Sequence, residues 1–129
     1  MQESIVELAG KTVLEAFTLN DKTELILKLD TGETVIFYHD QDCCESVSIE
    51  DINGDLEDLV GTPLIHAEVT SESNEPTESY ESSTWTFYKF ATIKGYVTVR
   101  WFGYSNGYYS ESVSMKVLPA EVEYKNKYQ

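Results

Sequence analysis

The sequence lacks basic residues over almost half of its length. Lys28 and Lys89 bracket residues 29–88, which hold no Lys or Arg but 15 Asp or Glu. The whole chain carries a formal net charge of −14. This composition argues against nucleic-acid binding through the acidic part, because phosphate contacts need cations. It suits either solubility or docking onto the basic surface of a partner protein.

Long apolar runs are also missing. The runs reach only a few residues, as in Val35-Ile36-Phe37, so nothing in the sequence predicts a membrane span. Residues 1–4 lack the basic start and apolar centre of a signal peptide. The chain has only two cysteines. We therefore expect a protein of the bacterial cytoplasm whose cysteines are reduced.

What is present is a chain of 129 residues with 41% apolar residues, which predicts one folded domain over residues 1–129. Alternating apolar and polar residues predict an antiparallel meander that continues into further strands. The predicted strands cover residues 12–19, 23–30, 34–39, 46–52, 64–70, 84–93, 96–104 and 108–118, and the short helices cover 4–9 and 55–61. The fold class is therefore α+β and mainly β, with seven or eight strands and two short helices. An acidic stretch at 71–83 predicts a mobile loop or the tip of a long hairpin, and residues 119–129 a polar tail.

A weak internal repeat predicts two related halves. Residues 8–16 and 59–67 each read as the end of a short helix, a glycine and then a strand. Each segment leads into further strands, so we expect two helix-then-meander units.

The last two strands can be placed in register by their side chains. A three-residue loop at 105–107 sets Val99 against Val113 and Trp101 against Glu111. A two-residue loop would instead oppose apolar to polar residues, and a slip of one residue turns every side chain over. We therefore predict a hairpin between these strands.

Residues 38–52 hold both cysteines, one histidine and many carboxylates, so a chemical site is expected there if the chain has one. His39, Cys43, Cys44 and His66 offer the nitrogen and sulfur ligands that zinc prefers. The paired spacing of structural zinc sites is absent, and extended backbone would point adjacent cysteines to opposite faces. A structural role for the cysteines is favoured, with the metal site as an alternative.

Two other chemistries are weaker. Asp51-x-Asn53-x-Asp55 begins like a calcium loop, but Leu56 and Thr62 stand where that loop needs glycine and glutamate. A cysteine nucleophile with a histidine base would be surrounded by carboxylates, which disfavour the thiolate. We therefore predict no cofactor and no enzymatic activity.

The later strands are rich in aromatic residues. They are Trp85, Phe87, Tyr88, Phe90, Trp101, Phe102, Tyr104, Tyr108 and Tyr109. Sheets of this kind can stack bases, but the negative charge of the chain favours a protein interface. A pocket for a small nucleotide is a further alternative, with Lys89, Lys94 and Arg100 as its only clustered cations.

One stretch resembles a known group of proteins. It reads Tyr38-His39-x-x-Asp42-Cys43-Cys44-Glu45-Ser46, then Ile49-Glu50-Asp51-Ile52, then Gly54-Asp55-Leu56-x-Asp58-Leu59-Val60-Gly61. It is similar to an uncharacterised family of small phage and bacterial proteins, grouped as a domain of unknown function. The resemblance extends from about Gly10 to Lys116. It implies a phage or prophage setting and no assigned activity.

Together these features predict a non-catalytic accessory protein that binds a host or phage protein with a basic surface, without nucleic acid or membrane contact. One specific version is an inhibitor that presents carboxylates where a nucleic-acid-binding host protein expects phosphates. The predicted interface residues are Asp40, Asp42, Glu45, Asp51, Asp55, Asp58, Tyr104, Tyr108 and Tyr109. The alternatives are a metal-binding or thiol-dependent enzyme centred on His39, Cys43 and Cys44, and a binder of a small nucleotide.

Overall fold

The computed structural model describes residues 5–42, 44–74, 82–106 and 110–120, and these form eight strands and two short 3-10 turns. The strands are β1 (Val13–Leu19), β2 (Glu24–Leu29), β3 (Thr34–Tyr38), β4 (Ser46–Asn53), β5 (His66–Asn74), β6 (Ser82–Thr92), β7 (Gly95–Ser105) and β8 (Ser114–Leu118). The turns cover Ile5–Leu8 and Leu56–Leu59. The mainly β fold class is confirmed, with 3-10 turns in place of the predicted short helices. None of the described helical segments is long and apolar enough to cross a bilayer.

The strands form two four-stranded antiparallel sheets. The first sheet has the order β1-β2-β3-β8 and the second has the order β4-β7-β6-β5. Their inner faces pack against each other through aromatic rings. The Phe37 ring of the first sheet meets the Tyr88 and Phe90 rings edge-on, at centroid distances of 4.7 and 5.8 Å.

Alternation along the strands explains which residues form the core. In β2 the side chains of Leu25, Leu27 and Leu29 face the second sheet, and in β7 those of Val97 and Val99 face the first. All five are at most 2% exposed. Because strand side chains alternate between faces, the intervening positions of β7, which are Thr98, Arg100, Phe102 and Tyr104, point outward.

The element order repeats, so the molecule consists of two similar halves. Each half has one 3-10 turn followed by four strands. The first three strands of each half form a meander, and the fourth crosses to the other sheet. Thus β4 joins β7, and β8 joins β3. The two halves predicted from the sequence are present in the fold.

The two halves meet at equivalent glycines. The amide of Gly10 donates to the carbonyl of Leu64 at 2.7 Å, and the amide of Gly61 donates to the carbonyl of Val13 at 2.9 Å. Both glycines are left-handed, with φ of 91° and 93°. This conformation is accessible to glycine but costly for other residues. The sequence repeat therefore marks a structural junction.

The predicted hairpin of the last two strands is wrong. Both edges of β7 are hydrogen-bonded, one to β4 and the other to β6, so β8 pairs with β3 instead. Trp101 consequently lies between Ile49 and Thr86, and not opposite Glu111. Pairing with β4 places the apolar Ile49 beside the Trp101 ring, which the hairpin register could not do.

The described residues favour the long hairpin over the mobile loop for the acidic stretch at 71–83. β5 continues to Asn74 and β6 begins at Ser82, so the strands take up parts of residues 71–83. The central part, residues 75–81, lies outside the described residues. Threonine and serine at both ends support the strand conformation because they pair across the ladder.

Candidate functional site

The connection from β3 to β4, residues 39–45, is called the first corner. It is closed by a buried pair: Nε2 of His39 lies 2.7 Å from Oε2 of Glu45. The His39 side chain is 4% exposed and that of Glu45 is 0% exposed. The other ring nitrogen, Nδ1, donates to the backbone carbonyl of Ser112, at 2.6 Å.

The partners of His39 define how many protons the pair holds. A carbonyl oxygen can only accept, so Nδ1 must carry a hydrogen. The contact between Nε2 and the carboxyl of Glu45 needs a second hydrogen, held by one group or the other. The pair therefore carries no net charge in either arrangement, which suits its burial.

Glu45 is held by the first corner rather than presented to a partner. Its Oε2 accepts the amide of Asp42 at 2.8 Å, and its backbone carbonyl accepts Nε2 of Gln41 at 2.7 Å. Glu45 was predicted to belong to the acidic interface. That prediction is corrected here, because its buried carboxylate is hydrogen-bonded to groups of the first corner. Asp40 and Asp42 are exposed in the same corner.

Among the described residues, the predicted metal ligands His39, Cys44 and His66 form no metal-binding group. Cys44 is exposed and disulfide-bonded, contrary to the expectation of reduced cysteines. The only other cysteine of the chain, Cys43, lies outside the described residues. His66 begins β5 in the second sheet, where Nε2 lies 3.4 Å from Oε1 of Glu68. No group of three His, Cys, Asp or Glu suited to a metal occurs among the described residues.

The predicted acidic residues lie at two ends of one strand. Asp40 and Asp42 precede β4, whereas Asp55 and Asp58 follow it. A strand advances about 3.3 Å per residue, so the eight residues of β4 hold the groups roughly 23 Å apart. Asp51 lies between them.

The acidic residues at and beyond the far end of β4 make local contacts, through the side chain in Asp51 and Asp55 and through the backbone in Asp58. Asp51 is exposed, with Oδ2 3.8 Å from a guanidinium nitrogen of Arg100. Asp55 caps the second 3-10 turn by accepting the amide of Glu57 at 3.0 Å. The backbone carbonyl of Asp58 accepts the hydroxyl of Thr92 at 2.5 Å.

The outer face of the second sheet carries a row of rings, here called the aromatic row: Trp85, Phe102 and Tyr104. The Trp85 and Phe102 rings lie 4.4 Å apart and those of Phe102 and Tyr104 5.9 Å apart. Tyr104 is 48% exposed. Arg100 lies 5.2 Å from the centre of the Trp85 ring and is paired with Glu50, at 2.5 Å.

The cations proposed for a nucleotide pocket lie on or directly after two neighbouring strands of the second sheet. Lys89 and Arg100 lie on β6 and β7, and Lys94 follows β6 in the turn. Nζ of Lys94 donates to the carbonyl of Val60 at 2.6 Å. Tyr108 and Tyr109, also predicted at the interface, lie outside the described residues.

A second buried glutamate stands in the connection from β7 to β8, here called the second corner. Glu111 is 7% exposed. Its Oε1 accepts the hydroxyl of Thr84 at 2.7 Å, and its Oε2 accepts the hydroxyl of Ser105 at 2.5 Å. In each corner a glutamate is hydrogen-bonded to the residue six positions before it in the chain.

The two corners share a sequence pattern, which was not among the predicted repeats. Tyr-x6-Glu-Ser-Val-Ser occurs at 38–48 and again at 104–114. His39 in the first copy corresponds to Ser105 in the second, and Glu45 corresponds to Glu111. The pattern was available in the sequence, but the predicted hairpin assigned its second copy to a strand facing Trp101.

A cleft of about 400 Å³ opens beside Glu111 and is called the hydroxyl cleft. Of the described residues, seven with hydroxyl side chains line it, together with Glu111 and a few apolar residues. The hydroxyls are those of Ser71, Ser73, Thr84, Thr86, Tyr88, Ser110 and Ser112.

The hydroxyl cleft exists because the hairpin of β5 and β6 is longer than its counterpart of β1 and β2. The strands β5 and β6 have 9 and 11 residues, against 7 and 6 in β1 and β2. In the added part the inner positions are Ser71, Ser73, Thr84 and Thr86 rather than apolar residues. Polar residues at inner strand positions depart from the core pattern, as functional sites often do.

Burial changes the acidity of one lining group. Desolvation raises the pKa of Tyr88 to about 12. The Tyr88 hydroxyl donates to the carbonyl of Val113 at 3.5 Å. The phenol therefore remains a neutral donor at the edge of the hydroxyl cleft.

Comparisons with known proteins connect the chain to a family rather than to an activity. No curated protein and no solved structure matches it. The family model of a domain of unknown function, DUF7448, matches residues 6–115, which include both corners and the whole aromatic row. The chain therefore belongs to the DUF7448 family.

Proposed function

We propose that this protein is a non-catalytic accessory module that binds a partner protein with a basic surface, through the aromatic row and the carboxylates beside it. The observation that carries the proposal is the position of the aromatic row. Trp85, Phe102 and Tyr104 lie on the outward-facing side of the second sheet, opposite to the core. Aromatic side chains are enriched at protein interfaces because they bury large areas with little loss of conformational freedom.

The charges around the aromatic row favour a basic partner. Asp40 and Asp42 precede β4, which pairs with β7 at the Tyr104 end. Glu50 and Asp51 lie farther along β4 and already hold the single arginine, Arg100. The surface near the Tyr104 end therefore offers exposed carboxylates to a basic partner, and such complementarity accelerates and orients docking.

The biological setting belongs to the same proposal. A phage or prophage origin would make a bacterial host protein the natural target. An inhibitor of a nucleic-acid-binding host protein would present carboxylates where that protein holds phosphates. The net charge of −14 supports this version.

A pull-down from bacterial lysate with quantitative identification of the captured proteins tests the proposal. Trp85→Ala and Tyr104→Ala should each remove the same basic protein, because each takes away an anchoring ring. Asp40→Asn with Asp42→Asn should weaken capture and reduce its dependence on salt.

Tyr96→Ala is the matched control, since Tyr96 is 80% exposed and lies at the opposite end of β7. Capture of the basic protein should survive this change. If the aromatic-row variants and Tyr96→Ala retain the same proteins equally, the proposed interface is wrong.

A further inference from the structure

We propose that the hydroxyl cleft is a binding site for a small organic cation, whose ammonium group would be held by Glu111 and the hydroxyls around it. This site is separate from the aromatic row, because the hydroxyl cleft lies on the inner side of the second sheet. The aromatic row lies on the outer side.

The first argument comes from the two corners. In the first corner the buried Glu45 has the imidazole of His39 as its partner at 2.7 Å. In the second corner Ser105 stands where His39 would be, and the side chains that donate to Glu111 among the described residues are hydroxyl groups. A hydroxyl brings no positive charge to a buried carboxylate.

The second argument concerns the charge that Glu111 retains. No ion pair joins Glu111 to a basic side chain within the part of the chain that the structure describes. A carboxylate out of water is stable only when it is paired or well hydrogen-bonded. Each carboxylate oxygen of Glu111 has one hydroxyl donor, and each oxygen can accept a second hydrogen bond. A cation in the hydroxyl cleft would supply both hydrogen bonds and charge.

The third argument is the chemistry of the lining. Hydroxyls accept as well as donate, so they can surround an ammonium group with oxygen atoms. None of the described residues that line it is Lys, Arg or His, which disfavours an anion such as a phosphate. Val69, Val113 and Met115 add apolar surface for the carbon chain of a ligand.

The size and opening of the hydroxyl cleft suit a small molecule. Its volume of about 400 Å³ lies within the range of small-molecule pockets. Ser71, Ser73, Ser110 and Ser112 are exposed residues, so the cleft is open to solvent on that side. Thr84, Thr86 and Glu111 form its deeper part.

Titration of the full chain with 1,4-diaminobutane, followed by amide shifts in NMR spectra and by calorimetry, tests the proposal. We expect saturable binding with shifts confined to residues 71–74, 84–88 and 110–113. Butane-1,4-diol serves as the uncharged probe of equal length, and inorganic phosphate as the anion. Both should bind at least about tenfold more weakly, because charge-assisted hydrogen bonds require the ammonium group.

Glu111→Gln is the decisive variant, since it removes the charge and keeps the shape. It should weaken diamine binding about tenfold or more, with little change for the diol. Glu72→Gln is the matched control on β5, because Glu72 faces outward opposite Trp85 and lies outside the hydroxyl cleft. A variant with two hydroxyls replaced, Ser71→Ala with Thr86→Val, tests the lining without touching Glu111 and should also weaken binding.

Three outcomes would overturn the proposal. The first is an absence of saturable diamine binding by the unmodified chain. The second is equal binding of the diol or of phosphate. The third is diamine binding that survives Glu111→Gln in a variant whose NMR spectrum shows a native fold.

Discussion

His39 and Ser105 occupy equivalent positions in the two halves, and each contacts a buried glutamate six residues later, Glu45 or Glu111. The distances are similar, at 2.7 and 2.5 Å, but the chemistry differs. In the first corner the imidazole of His39 and the carboxyl of Glu45 have one hydrogen between them, so the buried pair is neutral overall. The serine hydroxyl leaves the second corner with a carboxylate and an adjacent cleft.

The pair of the first corner should contribute strongly to stability. Glu45→Ala should lower the free energy of unfolding by about 3–5 kcal/mol, because it leaves the His39 ring and the Asp42 amide without their buried acceptor. Urea denaturation measures the loss. Glu50→Ala is the control, since Glu50 and Arg100 are partly exposed and such pairs contribute about 1 kcal/mol or less. Equal losses for the two variants would contradict a structural role for the buried pair.

The two junction glycines should respond alike to substitution. Gly10→Ala and Gly61→Ala should each cost about 1–2 kcal/mol, because both residues are left-handed and alanine disfavours that conformation. At Gly10 a Cβ atom would meet nothing within 4 Å, so the loss there reports backbone strain alone. Gly10→Asn should cost less, since asparagine tolerates this conformation better. A loss at only one glycine, measured by thermal unfolding, would show that the junctions are not equivalent.

Tyr88 should make stability depend on pH only under strongly alkaline conditions. Burial raises the pKa of the Tyr88 phenol from its ordinary value of about 10 to about 12 in the folded chain. Below pH about 10 the phenol is neutral in both states, so its contribution is fully present there. Between pH 10.0 and about 12 the unfolded chain loses the proton first, so the free energy of unfolding falls as pH rises, by about 1–3 kcal/mol.

An absorbance titration of tyrosinate checks this expectation. One phenol should ionise late, and Tyr88→Phe should remove that late step. Tyr96→Phe, at an 80% exposed position, should leave it in place. A late step that persists in Tyr88→Phe would assign it to another tyrosine.

Local patterns in the sequence predicted most strands, but not which strands pair when they are far apart in the chain. Alternation at Leu25, Leu27 and Leu29 identified β2 and its inner face, because the period of a strand is encoded in neighbouring residues. The hairpin prediction failed because it weighed only sequential pairing. The competing partner of β7 is β4, some fifty residues away, and the gain from placing Ile49 beside Trp101 is a tertiary effect.

The candidate site was predictable only in part. The stretch around His39 was recognised, but Glu45 was assigned to the surface because composition does not show which carboxylate is buried. Glu111 was assigned to a strand, although the repeated Tyr-x6-Glu-Ser-Val-Ser pattern relates it to Glu45. The hydroxyl cleft depends on the extra length of β5 and β6. The predicted strands ended at residue 70 and began again at residue 84, so they did not include this extra length.

The most direct test of the account is to give the second corner the residue found in the first. In Ser105→His an imidazole should pair with Glu111 as His39 pairs with Glu45. We predict that this variant, titrated with 1,4-diaminobutane by calorimetry, loses at least about tenfold in affinity and unfolds at no lower a temperature than the unmodified chain. Undiminished diamine binding by a folded Ser105→His variant would contradict both the equivalence of the two corners and the assignment of a cation site to Glu111.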